Sequence, residues 1–449
     1  MDLADTGLVD HLGKTFDCGC GRTHTVDLDT VEISAAALDK VAEIIARHGF
    51  RRPFFIADVN TLKAAGQELF DKLTKENVSF SSYIFEDEQL VPDEYSMGRL
   101  LINFDPQCDL IVGIGSGTIN DISRFFSHRL GLPYYIVATA PSMDGYASTG
   151  AALIVDNLKT TFECHMPKAI IADLRVNADA PQEMIAAGFS DLVGKYTCLA
   201  DWQLSAIIND EYYCPTIVEL TRQSVSKAVA LRDGIASGDH GSIASLLEAL
   251  VLSGIAMAYA GNSRPASGSE HHLSHFWEMR FLLEKKRAIL HGTKVGIAAV
   301  LVAQLYEMLS KENIDAADVP DTMEPGDGDW EEEIKKAFLD AAPAVLLLEE
   351  HAQKNAPEGR RIRLERIIAR WPEIVRVLRA VPSAAEVRSL ISCVGGIVDP
   401  DEVGIGPDLV YSALLYAKEV RPRYTILQLL WDLGLLADYA SQITNPAAA

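Results

Sequence analysis

The chain has 449 residues, 48% hydrophobic and 23% charged, values of a globular protein with more than one core and not of a disordered, collagen-like or coiled-coil chain. Its 40 Lys and Arg face 63 Asp and Glu, a formal net charge of −23. That field repels a phosphate backbone, which argues against a nucleic-acid partner, and it opposes a small phosphorylated substrate unless a local cluster of donors overrides it.

The opening MDLADTGLVDHLGKTFD has early acids and no apolar core, so it reads as neither a signal nor a transit peptide. Seven scattered cysteines are no disulfide framework and suit a reducing, cytoplasmic setting. In FDCGCGRTH, Cys18, Cys20 and His24 are zinc-ligand types, but alone they are too few for a closed site; the alternative is a β-turn built on Gly19 and Gly21. From about residue 53 to 173, the runs PFFIA, SSYIF, DLIVGIG, YYIVAT, AALIV and AIIAD alternate with helix-period segments, the pattern of a parallel sheet with crossover helices. Beyond about 178, apolar residues recur at three- and four-residue spacing, which predicts helices almost throughout. The expected architecture is an α/β nucleotide-binding domain over 1–178 and an all-α metal and substrate domain over 179–449. LLEALVLSGIAMAYA at 246–260 contains Glu248 and is too short to cross a bilayer, so it reads as a buried helix without membrane insertion. The acidic stretch 312–332 reads as an exposed helix connection, and its DGD lacks the ligand spacing of a calcium loop.

Five places carry residues with chemistry. In DLIVGIGSGTIND a strand runs into Gly113, Gly115, Ser116, Gly117 and Thr118 and then a helix with Asp121; such a turn lets backbone N–H groups approach a pyrophosphate, or is simply tight. The order is not the G-x-G-x-x-G of the Rossmann turn. Asp58 ends the first of these strands, where a carboxylate meets a ribose or caps a helix. The loop ATAPSMDGYAS clusters Thr139, Ser142, Asp144 and Ser148 at another strand end and suits a polyol or ribose. Asp191, His271 and His291, in an otherwise apolar half, form a donor set for Zn, Fe(II) or Ni with positions left open for substrate oxygens. His272 reads as a bystander; His275, one turn after His271, is a fourth ligand, a proton carrier or an orienting donor. Lys285, Lys286 and Arg287 are a solvated helix face or a phosphate dock.

Taken in order, GSGTIND, TAPSMDGYAS, GFSDLVGKYT, SRPASGSEHHLSHFWEM and ILHGTKVG resemble the bacterial AraM-like sn-glycerol-1-phosphate dehydrogenases, in the superfamily of iron-containing alcohol dehydrogenase, glycerol dehydrogenase and dehydroquinate synthase. The likeness runs from about Phe54 past DEVGIG at 401–406, with RPASGSEHHLSH its most specific piece. It implies one divalent metal per subunit on Asp191, His271 and His291, and NAD(H) or NADP(H) at Asp58, Gly115, Gly117, Asp121 and Thr139, to which the reading of the two loops adds Ser116, Thr118, Ser142 and Ser148. It implies substrate contact through Asp144; charge alone makes Lys195, Arg264, Lys285, Lys286 and Arg287 the candidate phosphate donors, and the proton route is through Asp144, His275 or water. Lys195 stands where relatives of the alcohol dehydrogenase kind have a fourth ligand, a His. A homodimer and a role in phospholipid headgroup synthesis are further implications. The rival readings are an NAD-dependent polyol dehydrogenase, a dehydroquinate synthase-like lyase and a non-catalytic nucleotide binder.

Overall fold

The computed structural model describes residues 7–155, 158–314 and 330–445; the core of the acidic stretch, 315–329, lies outside them. The chain divides into two compact units, Met1–Leu192 with Thr216–Ser263, and Val193–Pro215 with Arg264–Ala449.

In the first unit a short hairpin, β1 (Thr15–Asp17) and β2 (Thr23–Thr25), precedes β3 (Thr30–Ser34), β4 (Pro53–Asp58), β5 (Ser81–Phe85), β6 (Leu110–Gly115) and β7 (Tyr134–Ala138). These are followed by β8 (Gly150–Val155), β9 (Leu158–Glu163) and β10 (Ala169–Asp173). Six strands form one parallel sheet in the order β3-β10-β7-β6-β4-β5. The central β6 and β7 are buried at every residue, as covering both faces of a parallel sheet requires. Phe55, Val112, Tyr135 and Ile171 pack on one face of it.

Two features differ from the expected sheet. AALIV lies in β8, which pairs antiparallel with β9, register Gly150↔Glu163, outside the parallel sheet. Only two residues separate these strands in sequence, too few for the crossover that a parallel pair needs. The sixth place is taken instead by β3, whose TVEIS is only partly buried throughout and borders β10 at the sheet edge.

Helix α1 (Gly117–Leu130) follows β6, and α2 (Gln182–Val193) ends where the second unit begins. The first unit also contains α4 (Pro215–Ala230) and α5 (His240–Ala260), separated in sequence from its sheet by α3 (Lys195–Asn209). The second unit is helical among its described residues, with α3, α6 (Ser269–Leu283) and α7 (His291–Leu309) at its core. The apolar stretch 246–260 belongs to the 21-residue α5. Helices α5 and α7 have the length and hydropathy of membrane spans, yet 67% and 83% of the relevant windows are buried inside the protein, as in core helices.

Candidate active site

β4, β6 and β7 are neighbours, so their carboxyl ends bring Asp58, Gly115 and Thr139 to one edge of the first unit's sheet. In an open parallel sheet that edge is where ligands bind. A Cβ on Gly115 would stand 2.5 Å from Ile119, so this glycine is needed for strand and helix to meet. Gly117 differs: a Cβ there would meet nothing nearer than Met143 at 3.7 Å, which leaves the start of α1 open. Ser116 makes no side-chain cap, and the helix dipole adds partial positive charge at that end. Asp58 caps the helix after β4, its Oδ1 accepting the N–H groups of Asn60 and Thr61 at 2.8 Å. Asp121 faces its own helix, Oδ1 lying 3.2 Å from the Arg124 guanidinium.

Arg124, which sequence reasoning passed over, organises the neighbouring loop. It is fully buried and donates to the carbonyls of Gly145 (2.6 Å), Tyr146 (3.0 Å) and Gly150 (2.5 Å), and to the Tyr134 hydroxyl. Its one sequence signal is an arginine on the apolar side of α1, among Ile122, Ser123 and Phe126. The loop is gripped from two further sides. Gly188 on α2 lies so close that a Cβ would fall 1.8 Å from the Pro141 carbonyl oxygen, and a Cβ on Gly254 of α5 would fall 2.8 Å from that of Ala147. Within this grip Ser142 and Asp144 are buried, and Ser148 donates to the Gly145 carbonyl at 3.1 Å. Thr139 donates its N–H to Gly115 O at 3.2 Å, joining loop to turn. Asp144 Oδ2 accepts from Ser253 at 2.8 Å, and the Asp144 N–H donates to Asp191 Oδ2 at 3.1 Å.

In the second unit His271 and His291 stand at the first turns of α6 and α7, ring centroids 5.1 Å apart, each with a ring nitrogen within 4.8 Å of the other's. His275 completes a triangle at 6.1 and 6.0 Å. His271 Nδ1 lies 2.7 Å from Glu270 Oε1. The carboxylate can only accept, so Nδ1 carries the proton and Nε2 presents its lone pair, the orientation seen in metal-ligating histidines. Glu270 is itself fixed by the Gly268 N–H at 2.7 Å and the Thr197 hydroxyl at 2.6 Å. Burial raises its carboxyl, opposed by these hydrogen bonds and by Lys195. Behind it, Asp201 caps α6 through the N–H and hydroxyl of Ser269, both at 2.6 Å, and takes the Tyr306 hydroxyl and the Ile426 N–H. Burial and the Glu270 charge push Asp201 up to about 6.

The basic candidates separate. Lys195 is buried and donates to the Ala266 carbonyl at 3.0 Å. Arg264 is committed to Glu211 and to the Tyr424 carbonyl at 2.9 Å. Lys285, Lys286 and Arg287 are exposed, Lys286 pairing with Glu284 at 2.7 Å. Two arginines absent from the sequence reading, Arg421 and Arg423 in VRPRYT, lie on the loop that Arg264 anchors. An Arg421 nitrogen is 3.5 Å from His275 Nε2. Burial, with the charges of Arg421 and Arg264, pulls Arg423 down to about 9. Burial and the charges of Arg421, Arg423, Lys354 and Arg264 hold His272 well below its ordinary value, which marks a local positive field in this acidic protein. Arginines spaced around a proline in a loop gave no periodicity from which to read them.

A model of the iron-containing alcohol dehydrogenase family matches residues 32–181. The chain is 34% identical over 421 residues to glycerol-1-phosphate dehydrogenase (NAD(P)+) of Geobacillus stearothermophilus, covering 93% of this chain and 96% of that protein. To the protein of the same name in Bacillus subtilis (strain 168) it is 30% identical over 420 residues, covering 93% and 94%. Among solved structures, a probable glycerol dehydrogenase from Sinorhizobium meliloti 1021 superposes with a TM-score of 0.59 at 14% identity, over 92% of this chain and 98% of that one, a likeness of fold.

Proposed function

Because the chain belongs to the glycerol-1-phosphate dehydrogenases of the iron-containing alcohol dehydrogenase superfamily, we propose that it interconverts dihydroxyacetone phosphate and sn-glycerol 1-phosphate with NAD(P)H as hydride donor. Identity sustained across nearly the full length of both chains is the observation that carries this reading.

Asp191, His271 and His291 would hold the divalent ion, for which two imidazoles and a carboxylate are fitting donors. Such an ion supplies Lewis acidity to the ketone oxygen. The protein's own groups do the rest. Glu270 holds His271 in the ligating tautomer, and the Asp144 N–H fixes one oxygen of Asp191. The open start of α1 at Gly117, with Ser116 and Thr118, receives the dinucleotide pyrophosphate, and Asp58, Thr139, Ser142 and Ser148 border the nucleotide at the strand ends. Asp121 joins that turn from α1, its carboxylate lying beside Arg124. Asp144 and His275 are the groups that touch substrate and relay its proton.

For the substrate phosphate, Arg421 and Arg423 supply the positive field that the net charge withholds. Lys195 adds a buried ammonium, and Arg264 acts from behind by holding the loop at Tyr424. The enzyme is read as a cytoplasmic homodimer, which sedimentation of the purified protein would check. The deciding assay is oxidation of NADH and NADPH with dihydroxyacetone phosphate, the product then offered to a stereospecific sn-glycerol-3-phosphate dehydrogenase. Rapid oxidation giving a product which that enzyme refuses supports the assignment. Turnover only with glycerol or dihydroxyacetone would transfer the protein to the polyol dehydrogenases.

A further inference from the structure

We propose that Cys18, Cys20, His24 and Cys214 bind a structural zinc ion, separate from the catalytic metal and independent of which reaction the protein catalyses. The first three ligands are gathered by the turn between β1 and β2. There the Gly21 N–H donates to Cys18 O and the Cys18 N–H to Arg22 O, both at 3.0 Å, with Gly21 at φ +84°, a conformation that favours glycine. One ligand atom from each of Cys18, Cys20 and His24 lies within 4.8 Å of the others, and Cys20 Sγ is 3.3 Å from His24 Nε2.

The tautomer of His24 follows from its other nitrogen. Nδ1 is 2.7 Å from the Tyr259 carbonyl oxygen, which can only accept, so Nδ1 is protonated and Nε2 turns a lone pair toward the thiols. The ring is held in that orientation by Phe16 and Tyr259, with centroids 5.3 and 5.9 Å away. A buried histidine fixed by a backbone carbonyl and aimed at sulfur is the environment of a zinc ligand; thiols alone are poor hydrogen-bond partners for it.

The fourth ligand explains why the motif looked incomplete. Cys18 Sγ is 3.5 Å from the Thr216 hydroxyl at the start of α4, and the buried Cys214 stands two residues earlier in the chain. Its thiol completes three sulfurs and one imidazole, a donor set typical of closed structural zinc sites, and sulfur selects zinc over harder ions. No sulfur is present in the Asp191, His271 and His291 set, so the two centres differ in spectroscopic signature.

The test uses the full-length protein, loaded with zinc and, separately, with cobalt(II). Wild-type zinc protein holds two metal equivalents per chain, and a mercurial reagent releases one of them from the thiols. The cobalt protein shows a thiolate-to-cobalt charge-transfer band that disappears in Cys20→Ser and Cys214→Ser and persists in His271→Ala. Loss of the site also lowers the melting temperature, since an ion bound only by the folded chain stabilises it. Reduced, folded wild-type protein that shows no charge-transfer band, or releases no metal to the mercurial, overturns the proposal. A band that survives Cys214→Ser removes Cys214 from the site and overturns the four-ligand assignment. The mercurial titration needs no variant, so misfolding of the substituted proteins leaves the question decidable.

Discussion

Gly188→Ala tests whether the loop bearing Asp144 is held in place by packing. In an open helix interior this change stabilises by about 1 kcal/mol, because alanine is the better helix former. Here the new methyl would fall 1.8 Å from the Pro141 carbonyl oxygen, with the Leu250 side chain at 3.3 Å. An ordinary contact to that oxygen is more than 3 Å, so helix or loop must move by over 1 Å. Neither gives cheaply: the loop's carbonyls are tied to Arg124, and α2 carries Asp191 three residues on. Overpacking of this kind costs about 1–3 kcal/mol, which reverses the usual sign of the substitution. A displacement of about 1 Å at a catalytic group lowers turnover ~100-fold. The expected result is a folded protein with a reduced melting temperature and kcat down by about two orders of magnitude. Thermal unfolding and steady-state kinetics at saturating metal measure both. A variant as stable as wild type, with kcat within twofold, would show that the loop is not wedged by α2 and would refute the argument.

Glu270→Gln keeps the side-chain shape while removing the charge behind His271. Its amide can donate to Thr197, whose hydroxyl turns to the Gly194 carbonyl 2.9 Å away, so the fold survives and metal affinity falls about 10–100-fold by competition titration. Arg421→Ala should raise KM for dihydroxyacetone phosphate by roughly 10–100-fold, the worth of a charged hydrogen bond, with little change for dihydroxyacetone; equal effects on both would remove Arg421 from the phosphate. Asp201 has a carboxyl raised to about 6, so the folded state holds its proton more tightly than the unfolded state does. Its contribution to stability is present at pH 4 and is lost as pH rises toward 6. The stability gap between wild type and Asp201→Asn should therefore narrow over that window in denaturant titrations at each pH, and a gap independent of pH would contradict the assigned environment.

Much of the first unit was legible because its strands are continuous apolar runs: DLIVGIG enters a glycine turn, and both faces of β6 are buried as that run implies. The edge strand β3 was not, since TVEIS alternates polar and apolar residues and lacks that signal. AALIV read as one more sheet strand because composition does not reveal whether a partner is parallel or antiparallel. Among the candidate site residues, the place of His271 and His291 at helix starts was legible from the sequence. Arg124 was not, because an arginine in an amphipathic helix ordinarily points to water. Glu270 was hidden by the histidine beside it, and Cys214 by its distance in sequence from the Cys-x-Cys turn.

The dependence of the 145–150 segment on Arg124 limits how this enzyme can be altered. One guanidinium serves three carbonyl oxygens of a short loop, so an insertion or deletion there would take most of its acceptors from a buried cation, leaving the Tyr134 hydroxyl and Asp121, at the cost of several kcal/mol. This loop is therefore open to exchange of side chains but closed to changes of length. A lysine at 124 offers no escape, because a single ammonium cannot span carbonyls that a planar fork reaches together.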